Sequence, residues 1–227
     1  MSESSEADGG QGREHQGRTR LPAAERRETI IRAAIEVFAA AGYQAARVSD
    51  VAARVGVTEP VIFQNFGSKA GLFAVVLDRA AADARASLDE LAAGPGGVPA
   101  LLAHVLGATR QLTPAHPVTH STGPYLGSSH LGAAYGVLFA DAAALTAQPE
   151  LTEATRVAVS AVAAHLADLI RHARAHEAIS DDIDPEAAAW LLLSVIAARR
   201  LRSAAMPGGL EPEVSALALR ALTLRDS

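Results

Sequence analysis

The stretch that most restricts how this chain can fold is Val48–Lys69, VSDVAARVGVTEPVIFQNFGSK, where two short apolar-periodic runs flank a glycine turn. Val48, Val51, Ala52 and Val55 share one face of a helix only two turns long. Gly56 then supplies the left-handed residue on which such helices end. Thr58 stands where it would cap a second helix, with Glu59 and Pro60 in the first turn, where an acid suits the helix dipole and a proline sacrifices no hydrogen bond. Ile62 and Phe66 are spaced to face inward, leaving Glu59, Val61, Phe63, Gln64 and Asn65 outward. Helix, tight turn and short helix with a polar outer face is the arrangement that lays a reading helix in a DNA major groove. The same glycine-and-cap grammar also serves a helical corner in other all-α proteins, so the pattern by itself leaves that reading open.

The flanking sequence supplies more helices. From Pro22 to Ala41, Ile30, Ile31, Ala34, Val37, Phe38 and Ala41 form one amphipathic stripe, and Gly42 ends it. A long helix is expected from Lys69 to about Ala93, stopped by Gly94-Pro95-Gly96-Gly97, and it is the natural lever between the two parts of the chain. Further helices are expected at Val98–Leu112, Leu131–Ala147, Pro149–Glu177, Pro185–Ala205 and Glu211–Leu224, with Asp184 capping the fourth of these. Between them Thr113–His130, carrying Pro114, Pro117 and Pro124, is long for an irregular connection and suggests a lid or pocket wall. Aromatics are only 4% of the chain, within a hydrophobic share of 49% that is dominated by alanine, a mix that favours close-packed helices over sheet. The fold expected is all-α. Residues 1–20 form a charged, Gly/Ser/Glu-rich arm expected to be disordered; 21–68 form a three-helix DNA-binding domain with its helix-turn-helix; 69–227 form an all-α ligand-binding and dimerisation domain.

Charge and cysteine usage narrow the function classes. The net charge of −5 argues at first against a nucleic-acid partner, but residues 1–79 are balanced at ten basic and ten acidic side chains, and the acidity lies in 80–227. Between Arg13 and Arg32 six arginines face three glutamates, the local bias of a DNA-flanking arm. The absence of cysteine excludes disulfides, thiolate catalysis and thiolate-bound zinc, and suits a reducing compartment. With no membrane-length apolar run and a polar first twenty residues, a cytoplasmic, non-exported chain is expected. No cofactor is implied. Gly127-Ser128-Ser129-His130 is no nucleophile elbow, no glycine-rich loop follows a strand and no acid pair offers proton transfer, so an enzyme is not expected.

The run from Arg26 to Phe73 resembles the DNA-binding domain of TetR-type transcriptional regulators. The resemblance is carried by the alanine- and phenylalanine-rich first helix, Gly42-Tyr43, Asp50-Val51-Ala52, Gly56-Val57-Thr58 and the closing Phe63, Phe66, Ser68-Lys69 and Leu72, all in register without a gap. It implies that Thr58, Glu59, Pro60, Gln64 and Asn65 lie at or near the groove and that Phe63 and Lys69, the chain's single lysine, touch the sugar-phosphate backbone. Three positions depart from the family pattern. Phe63 stands for the usual Tyr and keeps only apolar sugar contact. Asn65 stands for His or Tyr, yet can still donate to phosphate or read adenine with both amide atoms. Arg47 replaces a capping Thr, forgoing a cap of roughly 1 kcal/mol while placing a cation where phosphate passes.

Towards the C-terminus the resemblance becomes one of architecture. It implies that the last two long helices, Pro149–Glu177 and Pro185–Ala205, build a four-helix homodimer interface, for which Val159, Val162, Leu166, Leu169, Trp190, Leu191 and Val195 are the candidates. It also implies a repressor on a palindromic operator, released by a small molecule; the Ala/Leu/Val-rich interior points to an apolar one. His116, His120, Tyr125, His130 and Tyr135 around the irregular segment, with His104 and Phe139 beside it, are the candidate ligand contacts, because an apolar cavity needs a few placed polar groups to orient a guest. His165, His172 and His176 share a helix face with Asp168 and could chelate a metal, but a solvated edge explains them better and no metal is assigned. The alternative is a helical small-molecule or metal-sensing module whose regulatory output is not direct operator binding.

Overall fold

A computed structural model describes residues 22–106, 138–139, 141–145, 148–174, 179, 182–206 and 210–223. Every regular element among them is helical. In chain order these are α1 (Ala23–Ala45), α2 (Val48–Val55), α3 (Glu59–Phe66), α4 (Lys69–Ala92), α5 (Gly97–Leu106), α6 (Pro149–Arg174), α7 (Pro185–Ala197), α8 (Arg199–Ala205) and α9 (Glu211–Thr223). The short stretch 141–143 is helical as well.

The first three helices follow the expected boundaries closely. Gly42 adopts φ +76° and breaks α1, after which one further turn runs to Ala45 and closes with the Ala46 amide donating to the Gly42 carbonyl at 3.0 Å. Gly56 is left-handed at φ +69°, and its amide bonds back onto α2. Only glycine takes such angles without a side-chain penalty, so these two residues fix where the chain turns. Ile30, Ile31, Ala34 and Phe38 of α1, Val51 and Ala52 of α2, and Ile62 and Phe66 of α3 meet in one buried cluster.

That cluster does not stop at the end of the three-helix unit. Leu72, Phe73, Val76, Leu77, Ala80 and Ala81 of α4 continue it, all 3% exposed or less. The helix packs on α1 and, more extensively, on α6. At its foot three rings lock together: Phe73 meets Phe38 edge-on with centroids 4.8 Å apart and Tyr43 at 4.9 Å. Ion pairs tie the outer side, with Arg79 reaching Glu28 on α1 at 2.7 Å and Asp83 at 2.8 Å. Ser68 caps α4 by accepting from the Gly71 amide at 2.8 Å. Across Gly67-Ser68 the chain bends 66° between α3 and α4.

Two expectations about the C-terminal helices change. The helix expected over Pro185–Ala205 is split into α7 and α8 at Ala198, whose ψ of −2° opens a turn while its amide still bonds to Ser194. Ala197, Ala198 and Arg199 are all good helix formers, so nothing in the local sequence marks the break. Val162 and Leu166, expected at a dimer interface, are 5% and 1% exposed and pack into the protomer's own core, leaving no surface to offer a second copy. An apolar stripe on a helix records that the face is covered but not by what, and here the protomer's own helices cover it. Asp184 caps α7 as expected, accepting from the Ala187 amide at 2.8 Å. No single helix among the described residues is long and apolar enough to cross a membrane.

Phe73→Ala removes the ring shared by both halves of this core. It should lower unfolding stability by about 3–5 kcal/mol, read as a shift of the urea midpoint with an unchanged slope.

Candidate nucleic-acid interface

The outer face of α3 is formed as the spacing requires. Ile62 is fully buried and Phe66 nearly so, whereas Thr58, Glu59, Pro60, Phe63, Gln64 and Asn65 are exposed and Phe63 keeps 41% of its surface. Arg27 of α1 lies over the inner ring of Phe66, 4.7 Å from its centroid, and so braces the end of the helix. The exposed face of α3 therefore carries one acid and no cation. Positive charge sits around it instead: Arg47, exposed at the start of α2, and Lys69 at the first position of α4. Arg54 of α2 is engaged with Glu36 at 3.2 Å.

Three side chains behave differently from expectation. Thr58 occupies the capping position of α3 with extended backbone, but its hydroxyl makes no cap bond. The Asn65 amide is turned along its own helix and donates to the Val61 carbonyl at 2.7 Å, so bidentate adenine reading would require it to rotate away. Lys69 is not splayed into solvent. Its ammonium donates to the Gln44 carbonyl at 3.2 Å and lies 4.7 Å from the centre of the Tyr43 ring. Burial pushes its pKa down, and the charge of nearby Asp141 works against that shift.

The residues around Lys69 form a joint that sequence reading did not find. The Tyr43 amide donates to the Asp141 carboxylate, and the Tyr43 hydroxyl donates to the Gln148 side chain at 3.1 Å. Burial raises the phenol pKa; the Gln148 hydrogen bond opposes the shift and the charge of Glu150 adds to it. Asp141 and Gln148 lie 98 and 105 residues from Tyr43, a separation at which no periodicity or cap signal operates.

His104 on α5 and Phe139 are half-buried, the latter against the core. His116, His120, Tyr125, His130, Tyr135 and His176 lie outside the described residues. His165 is bonded to Asp89 of α4 at 2.8 Å, and His172 to the Asp168 carbonyl at 2.7 Å. No group of three potential metal ligands occurs among the described residues.

Residues 30–76 match the profile of the bacterial regulatory proteins, tetR family, which spans the whole helix-turn-helix and the start of α4. The helix-turn-helix unit is that of the tetR family. Its members are DNA-binding regulators rather than enzymes. The HTH-type transcriptional activator FasR of Mycolicibacterium smegmatis is 48% identical over 60 residues, a stretch covering 26% of this chain and 27% of that protein. The chain thus matches about a quarter of that relative's length. In fold it is similar to E. coli NemR in its reduced form, with a TM-score of 0.66 at 16% identity, over 89% of this chain and 99% of that one. A TetR-family transcriptional regulator from Agrobacterium tumefaciens aligns with a TM-score of 0.64 at 14% identity, over 88% and 99% of the two chains.

Two adjacent caps differ in a way that mutation can read. Ser68→Ala removes a formed cap bond and should cost about 1 kcal/mol, whereas Thr58→Ala removes none and should cost markedly less, both measured by thermal unfolding.

Proposed function

We propose that the chain is a homodimeric regulator that seats two copies of α3 in successive major grooves of a palindromic operator and is moved off or onto it by a small effector. The observation that carries the reading is the exposed outer face of α3, polar except for Pro60 and Phe63, set between Arg47 and Lys69 on a helix-turn-helix whose inner face is packed. In this reading Gln64, Glu59 and Asn65 meet base edges, Thr58 and Pro60 approach the groove wall, Phe63 packs on sugar, and Arg47 and Lys69 neutralise phosphate. Residues 21–68 are the reader, and 69–227 bind effector and partner; a cytoplasmic setting follows from the DNA target.

A single head with so few cations binds weakly, so pairing is part of the mechanism. The surface we assign to it is the apolar face of α7 and α8, where Trp190, Leu191 and Leu201 keep 48%, 43% and 69% of their surface, with Val157 of α6 at 50%. Trp190, Ser194, Ala197 and Leu201 recur at helical spacing along it, and Val195 is half-buried at its edge. Val159 and Leu169, half-buried on α6, contribute at most their outer atoms. The effector site is assigned to the C-terminal domain near His104 and Phe139, for an apolar molecule. We place the sign of regulation in the position of the operator. Overlapping a promoter, the dimer excludes polymerase and represses, as the family resemblance implies; upstream of one, it can activate, as FasR is named for doing.

Binding of the full chain to operator variants tests the reading. Gln64→Ala should lose about 1–3 kcal/mol at one base pair per half-site, and equal loss on every sequence would show that Gln64 does not read bases. Trp190→Asp should convert the dimer to monomer in sedimentation equilibrium; an unchanged dimer would move the interface elsewhere.

A further inference from the structure

We infer that Asp141 is a positioning residue of the DNA reader: from the C-terminal domain it holds the Tyr43 amide, and through the Tyr43 ring and the Gln44 carbonyl it seats Lys69 as a phosphate clamp. The inference rests on the reading above that Lys69 meets the DNA backbone. It adds a direct polar link between the C-terminal domain and the reader, separate from the α4 rod.

The geometry runs through four residues. Gly42 at φ +76° turns the chain so that the next amide, that of Tyr43, points away from α1 towards Asp141, whose carboxylate accepts it. The space in front of Gly42 is filled by that carboxylate, which lies 3.5 Å from where a side-chain carbon would stand. With the amide held, the ring is fixed on three sides: by Phe38, by Phe73 and by its own hydroxyl on Gln148. Lys69 then rests on the ring face, 4.7 Å from its centre, and gives one N–H to the Gln44 carbonyl. An ammonium has three donors. Holding one leaves two for phosphate oxygens, on a side chain that no longer has to surrender its rotamer freedom on binding.

Asp141, half-buried, acts on Tyr43 as the acceptor of its amide, and its charge adds a separate support for the Lys69 cation. An asparagine in its place keeps an acceptor oxygen for the amide and discards the charge. An alanine discards both. The two substitutions therefore separate hydrogen bonding from electrostatics.

The test measures the affinity of the full-length protein for a short mixed-sequence duplex across a salt series. Each phosphate contact contributes about 0.9 to the slope of log K against log salt. Lys69→Ala should lower the slope by that amount. Asp141→Ala should do the same and, combined with Lys69→Ala, lower it no further; Asp141→Asn should keep the parental slope. Amide exchange at Tyr43 should accelerate in Asp141→Ala and stay protected in Asp141→Asn. Should the alanine variant melt far below the parent, Asp141→Leu, which is longer and lacks an acceptor, gives the same test.

Additive slopes in the double variant, or an unprotected Tyr43 amide in the parent, would overturn the proposal. So would a parental slope in Lys69→Ala, because Asp141 would have nothing to act through, although DNA binding itself would stand. A parent with no salt-dependent affinity for duplex would instead refute the DNA reading as a whole.

Discussion

Helix α4 has one apolar face and two neighbours that need it. Leu72, Phe73, Val76, Leu77, Ala80 and Ala81 are buried against α1 at one end and α6 beyond, within a single continuous core. Full burial of each larger side chain here is worth about 1.5–3 kcal/mol, so α4 cannot leave either neighbour without exposing several at once. The three-helix unit and the C-terminal helices are therefore not beads on a string. In the proposed reading a displacement of α6 would be carried by α4 to its foot, where the Phe38, Tyr43 and Phe73 rings pack together.

The electrostatics of the reader follow from the same frame. The exposed face of α3 holds Glu59 and no cation, so in the proposed reading it contributes base discrimination more than affinity for the duplex. In that reading affinity comes from the rim, where Arg47 and Lys69 stand, and from a second copy of the same head. Lys69 belongs to α4, and its ammonium rests on Tyr43 and Gln44 of the broken end of α1. The proposed backbone clamp is thus built at the junction of the two parts of the molecule, where the C-terminal domain can influence it.

Much of this was legible in the sequence, and for identifiable reasons. Gly42, Gly56 and the Asp184-Pro185 pair mark turns and caps by backbone chemistry that acts within a few residues, and the structure places them as read. The inward spacing of Ile62 and Phe66 settles which side of α3 faces out. What was not legible depends on partners distant in the chain. Thr58 has the right type and position for a cap, yet its hydroxyl stays idle. The Val162 and Leu166 stripe looked like an interface with a second copy because periodicity registers a covered face without naming the cover. The break at Ala198 involves residues with no local preference for breaking. The Asp141–Tyr43 bond joins positions 98 apart, beyond the reach of any local rule.

The central claim is that the C-terminal helices hold two copies of α3 at a fixed separation matched to DNA. The most direct test selects a bound duplex from a random pool and then inserts base pairs at the centre of its palindrome. If the heads are fixed, an insertion of about 5 bp, half a helical turn, turns one half-site to the opposite face and should reduce affinity to that of a single half-site. Affinity unchanged by the insertion would show that the heads are independent, and would contradict the claim.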